Sequence, residues 1–205
     1  MQLKYSRKWL EGEVKKGNDF SYIGFWGNKA DSAIERSFSN FYQADFTAPL
    51  LHLESKPMQK FTCSEQYFMY LKAMTFKDYL LIPKLLVSNR DGFYYKTLGR
   101  KVGDTSVNPE ALPYDDNIWE KERVLAMVQT LYYKFQNPKL KRGLLDTGDS
   151  VIIETSPFDK IWGIGIGKDS RNPKDNWQDV FSWKGDNLLG FSLMEVRDML
   201  KKELE

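Results

Sequence analysis

The chain has 205 residues and a near-balance of charge, with 30 Lys and Arg against 28 Asp and Glu and a formal net charge of +2. Apolar residues make up 41% and aromatic residues 15%, which suffices for a packed core and excludes a disordered chain. The balance argues against a protein that holds nucleic acid mainly by neutralising phosphates, and leaves room only for a local basic patch.

The single cysteine, Cys63, and single histidine, His52, limit the chemistry available. They exclude an intramolecular disulfide and a Cys/His zinc site, and a Cys–His nucleophile pair would require the two to meet. We expect Cys63 to be a buried residue at a helix start and His52 to be a core or surface residue. The chain shows no signal-peptide h-region and no apolar run of about 18 residues, so we expect a cytoplasmic protein that does not enter a membrane.

The elements predict one domain over residues 1–205 of α+β class, mainly helical with a small β-sheet. In chain order, the first half is predicted to begin with a helix over 6–16 that ends at Gly17, a strand over 20–26 and a turn-rich segment over 28–43. A helix follows over 63–79, with Thr62 as N-cap and Glu65 completing a capping box. A short helix then begins at Pro83, and a further helix is capped by Asp91 and ends at Gly99.

The second half begins with the clearest periodicity, which predicts a helix over 118–135 with Asn117 as N-cap. There follow a helix from Pro138 to near Gly148, a buried strand over 151–153, a glycine-rich stretch over 162–167, a polar loop over 168–179 and a last helix over 188–204.

Glu65 and Lys72 form the first candidate pair. They stand two helical turns apart, on one face that Phe68, Met69 and Phe76 share or border. Burial lowers a lysine pKa and an anionic neighbour raises it, and a desolvated lysine can act as a neutral amine nucleophile. The alternative is that Glu65 only closes the capping box and Lys72 extends to water.

Glu154 ends the predicted buried strand, and Asp159 follows five residues later. A carboxylate in that position needs a partner or a function. The two acids either line a sugar-binding cleft or pair with Arg123 or Arg100 to hold the fold.

Arg123 itself is either a structural ion-pair partner or a bidentate hydrogen-bond donor to a phosphate. The run Gly163-Ile164-Gly165-Ile166-Gly167 lacks the GxGxxG spacing and the following helix of a dinucleotide site. It is a tight turn or a place where backbone approaches a ligand closely.

Taken in order, several short motifs over about residues 20–200 resemble the NADAR (NAD- and ADP-ribose-associated, YbiA-like) family. They are Phe38-Ser39-Asn40-Phe41, Ser64-Glu65-Gln66-Tyr67-Phe68-Met69 with Lys72-Ala73, Gly99-Arg100, Trp119 with Arg123 and Met127, Lys134-Phe135, Leu144-Leu145 with Thr147-Gly148, Glu154, Asp159, Trp162-Gly163 with Gly165, and Gly185 with Asn187, Leu189-Gly190, Leu193-Met194 and Arg197. The chain departs from compact members in a longer segment between Phe41 and Glu65 and in the insert over 168–179.

The resemblance implies a NADAR/YbiA-like fold and hydrolysis of an N-glycosidic bond. We expect no metal, because the carboxylates are not clustered at ligand spacing and histidine is nearly absent, and we expect no cofactor. The leading substrate that the resemblance implies is ADP-ribose on guanine in nucleic acid. The alternatives are a ribosylamino-pyrimidine intermediate of riboflavin synthesis and a non-catalytic module that senses ADP-ribose or NAD-derived nucleotides. Transient contact with ADP-ribosylated DNA or RNA is expected, and Lys168, Arg171 and Lys174 are candidates for it, unless they form only a solvated loop.

For the site, the resemblance implies Lys72 as nucleophile through a Schiff base, Glu65 as general acid/base and Asp159 as an assisting catalytic group. The predicted substrate-binding residues are Asn40, Phe41, Tyr67, Arg100, Trp119, Arg123, Glu154, Trp162, Gly163 and Asn187.

Overall fold

The computed structural model describes residues 3–205 and has the predicted mainly helical α+β composition. The helices in this part of the chain are α1 (Arg7–Lys15), α2 (Ala33–Phe38), α3 (Ser64–Thr75), α4 (Ile82–Leu85), α5 (Gly92–Gly99), α6 (Asp116–Lys134), α7 (Pro138–Leu145) and α8 (Leu188–Lys202). The strands are β1 (Tyr22–Phe25), β2 (Phe46–Pro49), β3 (Met58–Phe61) and β4 (Val151–Glu154), and two short 3₁₀ helices cover Gly27–Lys29 and Val180–Ser182.

The described chain divides into two compact units. Unit 1 comprises residues 3–39 and 138–205, and unit 2 comprises residues 40–137. Each holds one two-stranded sheet. The prediction of a single domain over residues 1–205 stays a prediction.

Unit 1 is built on a parallel pair of strands, β1 and β4. Their register runs from Tyr22 opposite Val151 to Phe25 opposite Glu154, so both strands end at the same edge. Beyond that edge the Thr155 amide donates to the Phe25 carbonyl at 2.8 Å and continues the ladder. The first three residues of β4 are fully buried, and the apolar face of α8 packs against this strand.

Unit 2 is built around α3, which packs against α4, α5 and α6. Every residue of α3 from Ser64 to Leu71 is buried, polar ones included. The antiparallel strands β2 and β3 place Phe46 opposite Phe61, whose rings stack with centroids 5.9 Å apart. Burial of α3 on several faces explains why its amphipathic pattern is weak.

Two helix starts differ from the sequence-based expectations. The N-cap of α3 is Cys63, and the predicted Thr62–Glu65 capping box is wrong, because the Thr62 amide and hydroxyl both donate to Gln66 Oε1. The N-cap of α6 is Asp115, whose carboxylate accepts the Asn117 amide at 2.7 Å. An acceptor two residues earlier therefore takes the role predicted for Asn117.

Three further segments were predicted incorrectly. The turn-rich segment over 28–43 contains α2, which begins with a capping box between Ser32 and Glu35. Strands β2 and β3 were not expected. Helix α3 ends at Thr75 instead of residue 79, and Lys77 just beyond it has a φ of +53°, which a right-handed helix does not tolerate.

Candidate active site

Lys72 and Glu65 lie on the same face of α3, as predicted. Glu65 is buried in the first turn of the helix, where its amide donates to the Asn40 carbonyl at 3.0 Å. Lys72 is half-buried in the last turn, and its Nζ donates to the Gly99 carbonyl at 2.9 Å. The ammonium is therefore held in place and does not extend freely into solvent.

Aromatic rings enclose the Lys72 ammonium. Nζ lies 4.5 Å from the ring centroid of Tyr114 and 5.6 Å from that of Trp119. Trp119 is buried and packs against Phe68 with centroids 5.3 Å apart. The rings attract the cation, and they also remove water from the amine.

Desolvation is the largest influence on the pKa of Lys72 and lowers it from the usual lysine value. The negative charges of Asp116 and Glu65 act in the opposite direction, in that order. The lysine is thus biased toward the neutral amine, which is the nucleophilic form, while two acids limit the bias.

Close packing of α5 against α3 requires a glycine at position 99. A Cβ at Gly99 would overlap the Met69 sulfur, so α5 approaches α3 more closely than a larger residue allows. This approach brings the Gly99 carbonyl within reach of Lys72. Arg100, the next residue and a predicted substrate ligand, is exposed at the C-cap of α5.

Tyr114 and Asp116 belong to the surroundings of Lys72 and were not predicted. The Tyr114 hydroxyl donates to Asp116 Oδ1 at 2.7 Å, and burial, followed by Asp116, raises the pKa of Tyr114 to about 12. The Tyr114 amide donates to the Gly103 carbonyl at 3.1 Å. The loop is anchored in turn by Asp78, a buried residue whose carboxylate accepts the Gly103 amide at 3.1 Å.

Two predicted ligands in unit 2 carry buried polar atoms that make no hydrogen bond within the described chain. They are Asn40 Oδ1 and Arg123 Nε. Arg123 is paired with Glu120 only at 3.8 Å, a long and weak contact. Such atoms are costly unless a ligand or water satisfies them, which fits the predicted binding roles of both side chains.

Tyr67 and Phe41 occupy other surroundings. Tyr67 is fully buried, about 140° around α3 from Lys72, and its hydroxyl donates to the Pro49 carbonyl at 3.3 Å. The structure therefore does not bring Tyr67 to the lysine. Phe41 is 39% exposed and lies against Gly92, where a Cβ would come within 2.7 Å of its ring.

In unit 1, Glu154 stands at the end of β4 and is half-buried. Its amide donates to Asn187 Oδ1 at 2.9 Å, and Asn187 Nδ2 donates to the Ile152 carbonyl at 2.9 Å. The Asn187 side-chain amide thus pairs with the backbone of β4 as a neighbouring strand would. Gly163 lies so close that a Cβ would be 2.8 Å from the Glu154 carbonyl oxygen.

Asp159 organises the loop that follows β4. Its Oδ1 accepts the amides of Ile161 at 2.9 Å and of Trp162 at 2.8 Å, and its carbonyl accepts the Gly165 amide at 3.0 Å. Trp162 is half-buried at the same turn, and the φ of Gly165 is +67°. Asp159 therefore has a structural contact beside the catalytic role predicted for it.

Within residues 3–205, no three His, Cys, Asp or Glu side chains gather at a distance suited to a metal ion. The same part of the chain has no helix that is both long and apolar enough to cross a membrane. The expectations of no metal and no cofactor stay predictions.

Comparison with known proteins establishes the family. The NADAR domain family model matches residues 24–201, and the chain belongs to this family. It is 32% identical over 179 residues to N-glycosidase R617 of Acanthamoeba polyphaga mimivirus, covering 86% of this chain and 95% of that relative. It is 36% identical over 174 residues to Protein irg-1 of Caenorhabditis elegans, covering 82% and 74% respectively.

A solved structure supports the fold. The NMR structure of the E. coli protein YbiA superposes with a TM-score of 0.61 and 25% sequence identity, covering 91% of this chain and 89% of YbiA. The predicted family and the predicted NADAR/YbiA-like fold are both confirmed.

Proposed function

We propose that the chain is an N-glycosidase that removes ADP-ribose from guanine bases of nucleic acid through a lysine Schiff base. The observation that carries the proposal is the state of Lys72: half-buried, bonded to the Gly99 carbonyl at 2.9 Å, enclosed by aromatic rings and on one helix face with buried Glu65. A relative covering most of the chain is named an N-glycosidase, which supports the reaction class.

The chemistry follows from the substrate bond. When a ribose C1 is bonded to an exocyclic amine, ring opening leaves an imine-like C1. The neutral Lys72 amine adds to C1, and Glu65 accepts a proton from this amine and passes it to the guanine amine. The guanine amine leaves, and a Schiff base between Lys72 and C1 remains. Water then adds to C1, and ADP-ribose leaves as the lysine amine is regenerated. The lowered pKa of Lys72 serves the first step, because only the neutral amine attacks.

Binding roles are proposed for the charged and polar groups of unit 2. Arg123, with its buried and unbonded Nε, and the exposed Arg100 suit phosphate oxygens. Asn40 suits a ribose hydroxyl through its buried Oδ1. Ribose-binding and proton-transfer roles for Glu154 and Asp159 stay predictions from the family motifs.

The proposal is tested with an ADP-ribosylated oligonucleotide, scored for ADP-ribose released and unmodified guanine restored. A ribosylamino-pyrimidine assayed side by side tests the alternative substrate, and ADP-ribose binding without release of base would favour the sensing module. Release from the oligonucleotide alone supports the proposal, and no release overturns it.

The Schiff base is tested by adding borohydride during turnover. We expect a ribose adduct on Lys72, lost in Lys72→Ala and retained in Lys84→Ala, in which an exposed lysine of the same unit is removed. A wild-type reaction that turns over without any adduct, or an adduct that persists in Lys72→Ala, contradicts the mechanism. Circular dichroism of each variant confirms that the fold is retained.

A further inference from the structure

Two aromatic side chains of unit 1 meet just beyond the parallel strands. Trp26 directly follows β1, and Phe158 lies four residues beyond β4. Because β1 and β4 are parallel, both segments leave from the same edge. The two rings are in contact, with centroids 5.9 Å apart and planes 58° apart. The carboxyl edge of a parallel sheet is where ligands bind in many α/β proteins.

Phe158 is 86% exposed, more than any other large apolar residue in the described chain. Its backbone is nonetheless fixed. Pro157 precedes it, its amide donates to Ser156 Oγ at 3.4 Å, and Asp159 after it accepts two loop amides. An apolar ring that is held in water on a fixed backbone is available for a ligand to cover.

A lysine lies directly against these rings. Lys29 Nζ lies 4.3 Å from the centroid of the Trp26 ring. Asp31, the acid nearby in sequence, is already paired with Lys168 at 2.8 Å. Aromatic faces beside lysines are the combination that binds single-stranded nucleic acid, since bases stack and phosphates meet the cations.

We propose that Trp26, Phe158 and Lys29 form a nucleobase-stacking subsite, here called the stacking subsite. The inference rests on the proposed function, which supplies the nucleic acid or ADP-ribose that the stacking subsite would bind. Its occupant is a planar nucleobase attached to phosphate. That base belongs either to single-stranded nucleic acid or to the adenine of ADP-ribose, and the test separates the two sources.

Binding is measured by fluorescence anisotropy with two probes: a labelled single-stranded oligonucleotide without ADP-ribose, and labelled ADP-ribose. Stacking of one base predicts that Phe158→Ala weakens binding of the relevant probe by about 5- to 150-fold, and that Phe158→Trp restores it. Phe181→Ala is the matched control, because Phe181 is also exposed but lies on a separate 3₁₀ helix of unit 1. It is expected to bind as the wild type does.

Weakened binding of the oligonucleotide identifies a base of the strand as the occupant, and weakened binding of ADP-ribose identifies its adenine. The inference is overturned if Phe158→Ala binds both probes as the wild type does, if it is affected no more than Phe181→Ala, or if the wild type binds neither probe. Lys29→Gln tests the contact with phosphate. In this variant the slope of the log binding constant for the oligonucleotide against log salt concentration should decrease in magnitude by about one.

Turnover keeps this inference separate from the proposed function. The substrates are an ADP-ribosylated oligonucleotide and an ADP-ribosylated guanosine mononucleotide. If a base of the strand is bound, Phe158→Ala raises KM for the oligonucleotide and leaves the mononucleotide unchanged. If adenine is bound, KM rises for both. A wild-type protein that cleaves neither substrate refutes the proposed function, while the anisotropy measurements still decide the stacking subsite.

Discussion

Replacement of Asn187 tests whether a predicted substrate ligand is primarily a structural support. The side chain is fully buried, and its amide makes both of its bonds to β4, at 2.9 Å to the Ile152 carbonyl and 2.9 Å from the Glu154 amide. The residue also has a φ of +55°, in the left-handed region, at the N-cap of α8. Asn187→Ala therefore removes two hydrogen bonds. It also places an alanine in the left-handed region, where its Cβ strains the backbone and no side-chain hydrogen bond compensates.

The expected loss of stability follows from these contacts. Two hydrogen bonds, with a buried carbonyl left unpaired, are worth about 2–4 kcal/mol, and alanine in the left-handed region adds about 1 kcal/mol. The free energy of unfolding should fall by about 3–5 kcal/mol, or roughly 10 °C in Tm for a chain of this size. Asn187→Gly, which relieves only the backbone term, should lose about 1 kcal/mol less.

Urea unfolding followed by circular dichroism measures these differences. Asn89→Ala is the matched control, because Asn89 has a φ of +65° but is exposed, so only the backbone term of about 1 kcal/mol applies. Equal losses for Asn187→Ala and Asn89→Ala would refute the structural role. Lost activity at unchanged stability would instead favour direct contact with substrate.

Three other perturbations have defined directions. Complete burial lowers the pKa of Lys134 to about 7. Between pH 7 and 10 the unfolded chain therefore binds more protons than the folded chain, and the stability of the wild type relative to Lys134→Met should rise with pH. Urea midpoints measured across this pH range test the rise. Asp116 raises the pKa of Lys72, so Asp116→Asn should move the acid limb of kcat/KM to lower pH, because the neutral amine then persists at lower pH. Gly99→Ala should lower the free energy of unfolding by about 1–3 kcal/mol, because the new Cβ overlaps the Met69 sulfur.

Each of these has a control variant or a result that would contradict it. A Lys134→Met variant whose stability follows the wild type across the whole window would contradict burial of a neutral amine. Glu122→Gln, at an exposed position of α6, should leave the acid limb unchanged, and an unchanged or upward shift in Asp116→Asn would exclude its influence on Lys72. Gly12→Ala, where nothing lies within 4 Å of the new Cβ, should stabilise the protein by about 0.5–1 kcal/mol, in contrast to Gly99→Ala.

The long periodic elements were predictable because local pattern and tertiary burial agree in them. The apolar stripes of α6 and α8 and the β-branched run of β4 are examples. The placement of Glu65 and Lys72 on one face of α3 follows from helix geometry alone. Their surroundings could not be predicted, since Tyr114 reaches Lys72 from a loop that is distant in sequence and that Asp78 helps to anchor through Gly103.

Short-range competition accounts for the errors at element ends. Thr62 has the chemistry of an N-cap, but its hydroxyl and amide bond to the Gln66 side chain. Strand β3 buries only Phe61, so no alternating pattern marks it, and this one buried ring stacks on Phe46 of the partner strand. Local propensity was overridden in both places by partners that sequence spacing does not show.

The parallel pairing of β1 with β4 has a consequence for synthesis on the ribosome. All of unit 2 is translated between these two strands, so β1 emerges long before its hydrogen-bonding partner exists. Until β4 and the covering α8 are made, the nascent chain carries an open strand edge beside uncovered apolar side chains, which is a site for aggregation or chaperone capture. A premature stop before residue 151 should therefore yield an insoluble fragment, even though the complete contiguous segment 40–137 has already been translated.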